Sequence, residues 1–182
     1  MRIAIMALQG AFEEHWQVMV RMGQEPFLVR NAQDWQQPKQ ALIIPGGEST
    51  TMTRIMHDLG LWDVVRQDIL AGLPVLGTCA GLIMLDRVHL GTMDILARRN
   101  AYGRQLGSFH TQGMLEGVGQ VPMTFIRAPY IAEAGPEVEV LARVDGHTVA
   151  ARQGNQLVTA FHPELDTDTH VHQMLLDMAA QK

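Results

Sequence analysis

Apolar residues run almost unbroken through 2–8 (RIAIMAL), the pattern of a strand buried on both faces. Helical spacing follows over 12–22 (FEEHWQVMVRM), and Gly23 stands where a helix C-cap belongs. Residues 26–30 (PFLVR) and 41–44 (ALII) predict two more strands. In 50–59 (TTMTRIMHDL) the apolar Met52, Ile55, Met56 and Leu59 recur at helical intervals, and Gly60 supplies a stop. A further helix over about 61–71 leads to the strand 74–77 (PVLG), and another helix begins near Ala80. Near-continuous apolar strands separated by helices predict a parallel sheet covered on both faces.

The pattern changes from about residue 93 to 161, where short β-type runs with Gly and Pro turns dominate. The clearest are 121–125 (VPMTF), 137–144 (EVEVLARV) and 147–152 (HTVAAR). The stretch 143–157 reads as a meander with turns at Asp145-Gly146 and Gly154-Asn155. An amphipathic helix over about 169–180 follows. No linker, repeat or low-complexity segment interrupts the chain. The expectation is one domain, 1–182, in which the antiparallel part extends the same sheet.

Composition narrows the function classes. The 182 residues are 47% hydrophobic and 18% charged, which is ordinary globular usage and excludes a disordered chain. A net charge of −5 with no basic cluster argues against nucleic acid as a partner. No apolar run approaches the roughly 18–20 residues that cross a bilayer. The opening MRIAIMALQG reads as a first strand, not a signal peptide. A single cysteine forms no internal disulfide, which points to a reducing cytoplasm.

That cysteine sits in the most informative segment, GTCAG (77–81), between the strand PVL and the helical LIML. G-x-C-x-G is the thiol counterpart of the G-x-S-x-G nucleophile elbow. A tight strand-to-helix turn strains its central residue, and Gly77 and Gly81 leave room for neighbouring backbone. The turn lifts Cys79 to the carboxyl end of the sheet, where open α/β folds bind ligands. A helix N-terminus favours the thiolate. The Ala80 amide points into the same space and can donate to an oxyanion. A lone cysteine is commonly just a buried structural residue. The flanking glycines and the strand-to-helix context reverse that reading here.

Acyl transfer by a thiolate requires a histidine to protonate the leaving amine and a carboxylate to orient it. Eight histidines are present, so chemistry alone does not choose. In QLVTAFHPEL (156–165) a strand brings His162, Pro163 and Glu164 to its carboxyl end. Residues i and i+2 of extended chain share a side, so imidazole and carboxylate can face together, and Pro163 disfavours helical dihedrals at His162. The remaining histidines, His15 and His172 among them, are read as structural. His170 and His172 stand at i and i+2 of a predicted helix and do not share a face. With no second cysteine and no H-E-x-x-H, neither a metal site nor a cofactor is expected.

GTCAG together with FHPEL (161–165) resembles the class I, triad-type glutamine amidotransferases. ALQGAFEEH (7–15), IIPGGESTTM (43–52), RNAYGRQ (99–105), FIRAP (125–129), EVEVLA (137–142) and RQGN (152–155) narrow the resemblance to glutaminase subunits of pyridoxal 5′-phosphate synthases. The match covers nearly the whole chain, and PGGEST with RNAYGRQ is far more specific than either triad segment. The resemblance implies a flavodoxin-like, three-layer α/β fold, with a mainly parallel central sheet and an antiparallel extension. It implies hydrolysis of L-glutamine to L-glutamate and ammonia through a thioester on Cys79, with His162 and Glu164 completing the triad. It implies that Gly46, Gly47 and Glu48 hold glutamine, together with Arg104, Ile126 and Arg127. It also implies docking on a (β/α)₈-barrel synthase subunit that consumes the ammonia in vitamin B6 biosynthesis. Physical chemistry agrees: a Gly-Gly pair after a strand exposes amides for an oxyanion, an arginine forks onto a carboxylate, and Glu48 can pair with an ammonium.

The chain departs from this family at Leu106-Gly107-Ser108-Phe109-His110, where D-S-F-E usually follows GRQ, and at Tyr130, where a basic residue usually follows FIRAP. The stretch from Asp86 to Met93 is also shorter. Three other readings remain open at this level: a glutaminase serving a different synthase, a non-catalytic relative that only occupies the synthase, and a cysteine hydrolase of the related elbow-bearing type.

Overall fold

The computed structural model describes residues 1–99 and 108–181. The first half holds β1 (Arg2–Met6), α1 (Phe12–Arg21), β2 (Glu25–Val29), the short α2 (Ala32–Trp35), β3 (Ala41–Ile44), α3 (Ser49–Asp58), α4 (Trp62–Leu70), β4 (Val75–Thr78) and α5 (Ala80–Leu85). The predicted strands and helices all lie within a residue or two of these bounds. The stops follow from the glycines: Gly23 and Gly60 close α1 and α3 with φ of +74° and +70°, which L side chains rarely adopt.

Five strands run parallel in the order β2-β1-β3-β4-β11, where β11 is Gln156–Thr159. This is the order of a flavodoxin-like doubly wound sheet. Every residue of β3, β4 and β11 is buried, which is why these segments read as unbroken apolar runs. Ile3, Ile5, Leu42, Ile43, Val75 and Leu76 expose no surface. Each such aliphatic side chain contributes about 1.5–3 kcal/mol relative to leaving it in water. β2 is added on one side of β1 and β3 on the other, so the chain reverses its direction across the sheet at β1. That reversal opens a crevice at the carboxyl ends of β1 and β3.

The antiparallel extension continues through β10 (His147–Gln153), β8 (Tyr130–Ala134) and β5 (Ile95–Arg98), and β9 (Glu139–Val144) pairs with β10. The predicted meander is therefore β9-β10-β11. Its first turn has positive φ at both Asp145 (50°) and Gly146 (79°), matching the twist of a tight hairpin.

One part differs from expectation. β6 (Phe109–Leu115) and β7 (Gly119–Phe125) form a separate two-stranded sheet rather than joining the main one. The two strands pair with each other along their whole length, and the buried positions of β7 alternate, so one face is left for packing. Phe125 stacks on Phe109 at 4.5 Å and meets the edge of Phe161 at 5.9 Å, fastening the hairpin to the body. The strands β5, β6 and β8 were not read from the sequence: β5 and β8 are only four and five residues long, and β6 mixes polar and apolar positions. A 3-10 turn at Pro163–Leu165 and the helix α6 (His170–Ala180) complete the chain. Among the described residues no helix is long and apolar enough to cross a membrane.

Candidate active site

Loops from the carboxyl ends of four parallel strands converge: Gln9 and Gly10 after β1, Gly46 and Gly47 after β3, Cys79 after β4 and His162 after β11. Cys79 occupies the bend between β4 and α5 with φ 54° and ψ −107°, a region that costs a non-glycine residue about 1–3 kcal/mol. Two hydrogen bonds help to hold the bend. Its N–H donates to the Thr159 carbonyl at 2.8 Å, and its carbonyl accepts from Leu82 N–H at 3.1 Å. The thiol lies 3.9 Å from the Ile126 carbonyl, a weak contact.

His162 and Glu164 come together by a different local route from the one the sequence suggested. β11 ends at Thr159; His162 is extended (φ −103°, ψ 90°), but Pro163 opens a 3-10 turn that contains Glu164. Proline is well placed at the first position of such a turn, where no N–H partner is needed. The turn, not an extended strand, directs the carboxylate back to the ring. Glu164 Oε1 lies 2.5 Å from His162 Nδ1, a short charge-assisted contact, and both side chains are buried.

Burial alone would lower the His162 pKa. Hydrogen bonding with Cys79 and then with Glu164 outweighs it and raises the value to about 10. Burial of Glu164 opposes its charge, but the neighbouring His15 and His162 prevail and its pKa is lowered. Cys79, His162 and Glu164 thus gather in one cluster. A side chain at Gly46 could not coexist with it, because a Cβ there would come within 2.5 Å of His162 Cε1 and 3.2 Å of Cys79 Cβ.

A cleft of about 350 Å³ opens on Cys79 and is lined by Gln9, Gly47, Glu48, Ser49, Ala80, Ile83, Arg99, Arg127 and Pro129. A second, more apolar opening reaches Cys79 past Gly46, Ile126, His162 and Leu165. Of the sequence-predicted substrate residues, Gly46, Gly47, Glu48, Ile126 and Arg127 therefore gather around the sulfur, as does Ala80. Arg104 lies outside the described residues.

Glu48 has a local duty as well. Its carboxylate caps α3, accepting from Thr50 N–H at 3.1 Å, Thr51 N–H at 2.6 Å and the Thr51 hydroxyl at 2.6 Å. These hydrogen bonds, led by the Thr51 hydroxyl, lower its pKa to about 2, so the group stays anionic. Gln9 Oε1 accepts from Glu48 N–H at 2.7 Å and so ties the β1 loop to the β3 loop.

Three residues in this region escaped the sequence reading. Arg99 enters the cleft, its guanidinium bonded to the Ser49 hydroxyl and 3.9 Å from Glu48 Oε1. It begins the RNAYGRQ segment, of which the sequence reading named only Arg104. His15 and His172, read as structural, lie fully buried beside Glu164, with His15 Nε2 3.4 Å from Glu164 Oε2.

Burial holds His172 neutral, lowering its pKa from 6.5 to about 3, and it lowers that of His15 as well. An unfolded chain would protonate both near 6.5, so their contribution to stability is complete above 6.5 and is lost as pH falls toward 3. By pH 5 the loss from His172 alone amounts to about 2 kcal/mol. His162 acts on the other flank: its raised pKa stabilises the fold below 6.5, and that benefit is lost as pH climbs toward 10. The urea midpoint is expected to drop between pH 6.5 and 5, and to drop less steeply in His172→Leu. Equal slopes would contradict the assignment.

The sequence profile of the SNO glutamine amidotransferase family matches residues 5–181. Over 192 aligned residues the chain is 52% identical to pyridoxal 5′-phosphate synthase subunit PdxT of Streptococcus pneumoniae strain CGSP14, covering 100% of this chain and 99% of that protein. The PdxT subunit of Methanocorpusculum labreanum is 54% identical, covering 99% and 98%. A crystal structure of a glutamine amidotransferase superposes with a TM-score of 0.91 at 40% identity, covering 98% of each chain.

Proposed function

Because this chain belongs to the SNO glutamine amidotransferase family, we propose that it hydrolyses L-glutamine to L-glutamate and ammonia at Cys79 and supplies the ammonia to the synthase subunit of a pyridoxal 5′-phosphate synthase. The observation that carries the catalytic reading is the cluster in which His162, 2.5 Å from Glu164, lines the same opening as Cys79.

The chemistry follows from the charges. With its pKa raised to about 10, His162 is an imidazolium at neutral pH, the counter-ion that a nucleophilic thiolate needs. The sulfur attacks the side-chain carbonyl carbon of glutamine; a C–S bond forms and the carbonyl electrons move to oxygen. The amides of Gly46, Gly47 and Ala80, which line the openings onto Cys79, would stabilise the charge on that oxygen. Collapse breaks the C–N bond while His162 delivers its proton to the departing ammonia. Once sulfur is esterified, its negative charge no longer supports the imidazolium, so the His162 pKa falls. The neutral ring then takes a proton from water, hydroxide adds to the thioester, and glutamate leaves with restoration of the thiolate and the imidazolium.

Substrate recognition is assigned by charge. Arg99 and Arg127 line the same cleft as Glu48. An arginine forks onto the α-carboxylate of glutamine, and Glu48, kept anionic by its cap, meets the ammonium. Arg104 remains a candidate for the same carboxylate. The partner is expected to be a (β/α)₈-barrel synthase subunit, and the setting cytoplasmic.

A glutamine-mimicking electrophile is expected to label Cys79, with glutamine protecting it, while ammonia release from glutamine rises when the synthase subunit is added. Labelling that glutamine does not slow would defeat the substrate assignment.

A further inference from the structure

His15 on α1 and His172 on α6 stand 157 residues apart in sequence, yet His15 Nδ1 lies 2.9 Å from His172 Nε2. Neither exposes any surface. Two imidazoles in an aliphatic interior cost desolvation that Leu would not incur, so their partners decide what they contribute. His15 Nε2 lies 3.1 Å from the Thr78 hydroxyl and 3.4 Å from Glu164 Oε2. That is the carboxylate oxygen His162 does not use, and it makes no hydrogen bond among the described residues. The group is not an ion site: among the described residues no three His, Cys, Asp or Glu side chains are placed to hold a metal.

The protons can be placed by elimination. Both rings are neutral, so each carries one N–H. If His15 carried it on Nδ1, it would donate to His172 Nε2. His172 would then hold its proton on Nδ1, which is buried without a partner, and the bare His15 Nε2 would confront the Glu164 carboxylate. A buried donor would be orphaned and two lone-pair groups would repel each other. In the reverse arrangement His172 donates from Nε2 to His15 Nδ1, and His15 Nε2–H donates to Thr78 Oγ1 with Glu164 Oε2 3.4 Å from the same nitrogen. Only a weakly demanding ring acceptor, His172 Nδ1, is then left alone. The second arrangement wins.

We propose that His15 and His172 are positioning residues: His172 fixes the tautomer of His15, whose Nε2–H faces the outer oxygen of Glu164 and keeps that carboxylate charged and aimed at His162. The chain of contacts then runs from His172 through His15, Glu164 and His162 to Cys79. Mechanistically, a Glu164 that took up a proton would lose its hold on His162 Nδ1, and the ring could no longer keep the tautomer that faces the sulfur. The charged and titratable groups acting on the pair are Glu164 and His162 from the catalytic turn, Glu14 on α1, and Arg21 at the end of α1. This inference rests on the triad reading above.

Two polar replacements separate the proposal from mere packing. His15→Gln carries an amide N–H where Nε2 stands and can still donate toward Glu164. His15→Asn keeps an acceptor for His172 but is too short to reach the carboxylate. With the synthase subunit present, His15→Asn is expected to lower kcat on the order of 10- to 100-fold, as loss of an outer orienting partner does elsewhere, with KM nearly unchanged. The acid limb of its kcat–pH profile should move to higher pH, because Glu164 loses a neighbour that favours its charge. His15→Gln should return kcat to within about threefold of the parent and restore the limb. Should His15→Asn fail to fold, His172→Leu, which frees the His15 tautomer, is expected to lower kcat and raise the acid limb in the same direction. Equal kcat and superimposable pH profiles for Asn and Gln, or an unaltered limb in His172→Leu, would overturn the proposal. Cys79→Ala keeps the two readings apart: ammonia release that survives in it removes the triad and the relay together, whereas an inactive Cys79→Ala beside a fully active His15→Asn removes the relay alone.

Discussion

Cys79→Ala releases no ammonia from glutamine above about one part in 10⁴ of the parent rate, measured with the synthase subunit bound and glutamine saturating. The size of the effect follows from the absence of a substitute. The sequence contains a single cysteine, so no second thiol can take over. Oxyanion donors and substrate contacts would survive, but without a thioester they can only assist water, a far poorer nucleophile than a thiolate. The fold should hardly notice: the side chain is small, and the backbone bend is held by the Thr159 and Leu82 hydrogen bonds, not by sulfur. An unchanged urea midpoint beside the lost activity is therefore part of the expectation. Residual turnover near the parent rate would remove Cys79 from the reaction.

The largest loss of stability is expected at Gly81→Ala. In isolation the change should help, since alanine within a helix is favoured over glycine by about 1 kcal/mol. Gly81 lies in α5, however, where a Cβ would overlap the backbone carbonyl of Ile44 in β3. Backbone at the centre of the sheet cannot rotate away as a side-chain tip would. Gly77 on β4 meets Gly81 in the same way: a Cβ on it would fall 2.6 Å from the Gly81 carbonyl oxygen. Both glycines of G-x-C-x-G thus let strand and helix touch at the nucleophile bend. Overpacking typically costs 1–3 kcal/mol, and an immovable backbone partner puts this case at about 3 kcal/mol or more. For a chain of this length that lowers Tm by roughly 6–12 °C. Calorimetry of Gly81→Ala beside the surface change Gly154→Ala would test it; an unaltered transition for Gly81→Ala would contradict the packing argument.

Why some of this was legible beforehand is a matter of range. The parallel strands announce themselves because burial on both faces forces unbroken apolar runs, and glycines mark the ends of α1 and α3. Cys79 and the His162/Glu164 pair were readable because each sits in a short segment whose local geometry the residues themselves impose. The hairpin β6-β7 was harder, since its single buried face leaves alternation as the only signal, and that signal is weak over seven residues. His15 and His172 defeated sequence reasoning for a different reason. They meet only because α1 and α6 pack together, and nothing in either helix indicates the other. Arg99 escaped because nothing in RNAYGRQ itself says that its first residue reaches the cleft. The extended-chain argument for His162 and Glu164 reached the right pair by the wrong route, because Pro163 starts a turn instead of prolonging a strand.

The strand β4 that precedes the thiol lies between β3 and β11, paired through Thr78 and Thr159 on the latter side. On a ribosome β3 and β4 emerge well before β11 and the residues that follow it. Until then β4 is an open edge, and the nascent polypeptide displays a sulfur with no imidazole next to it. On the mechanism proposed above, hydrolysis of glutamine therefore waits for the tardy strand to slot in beside its neighbour.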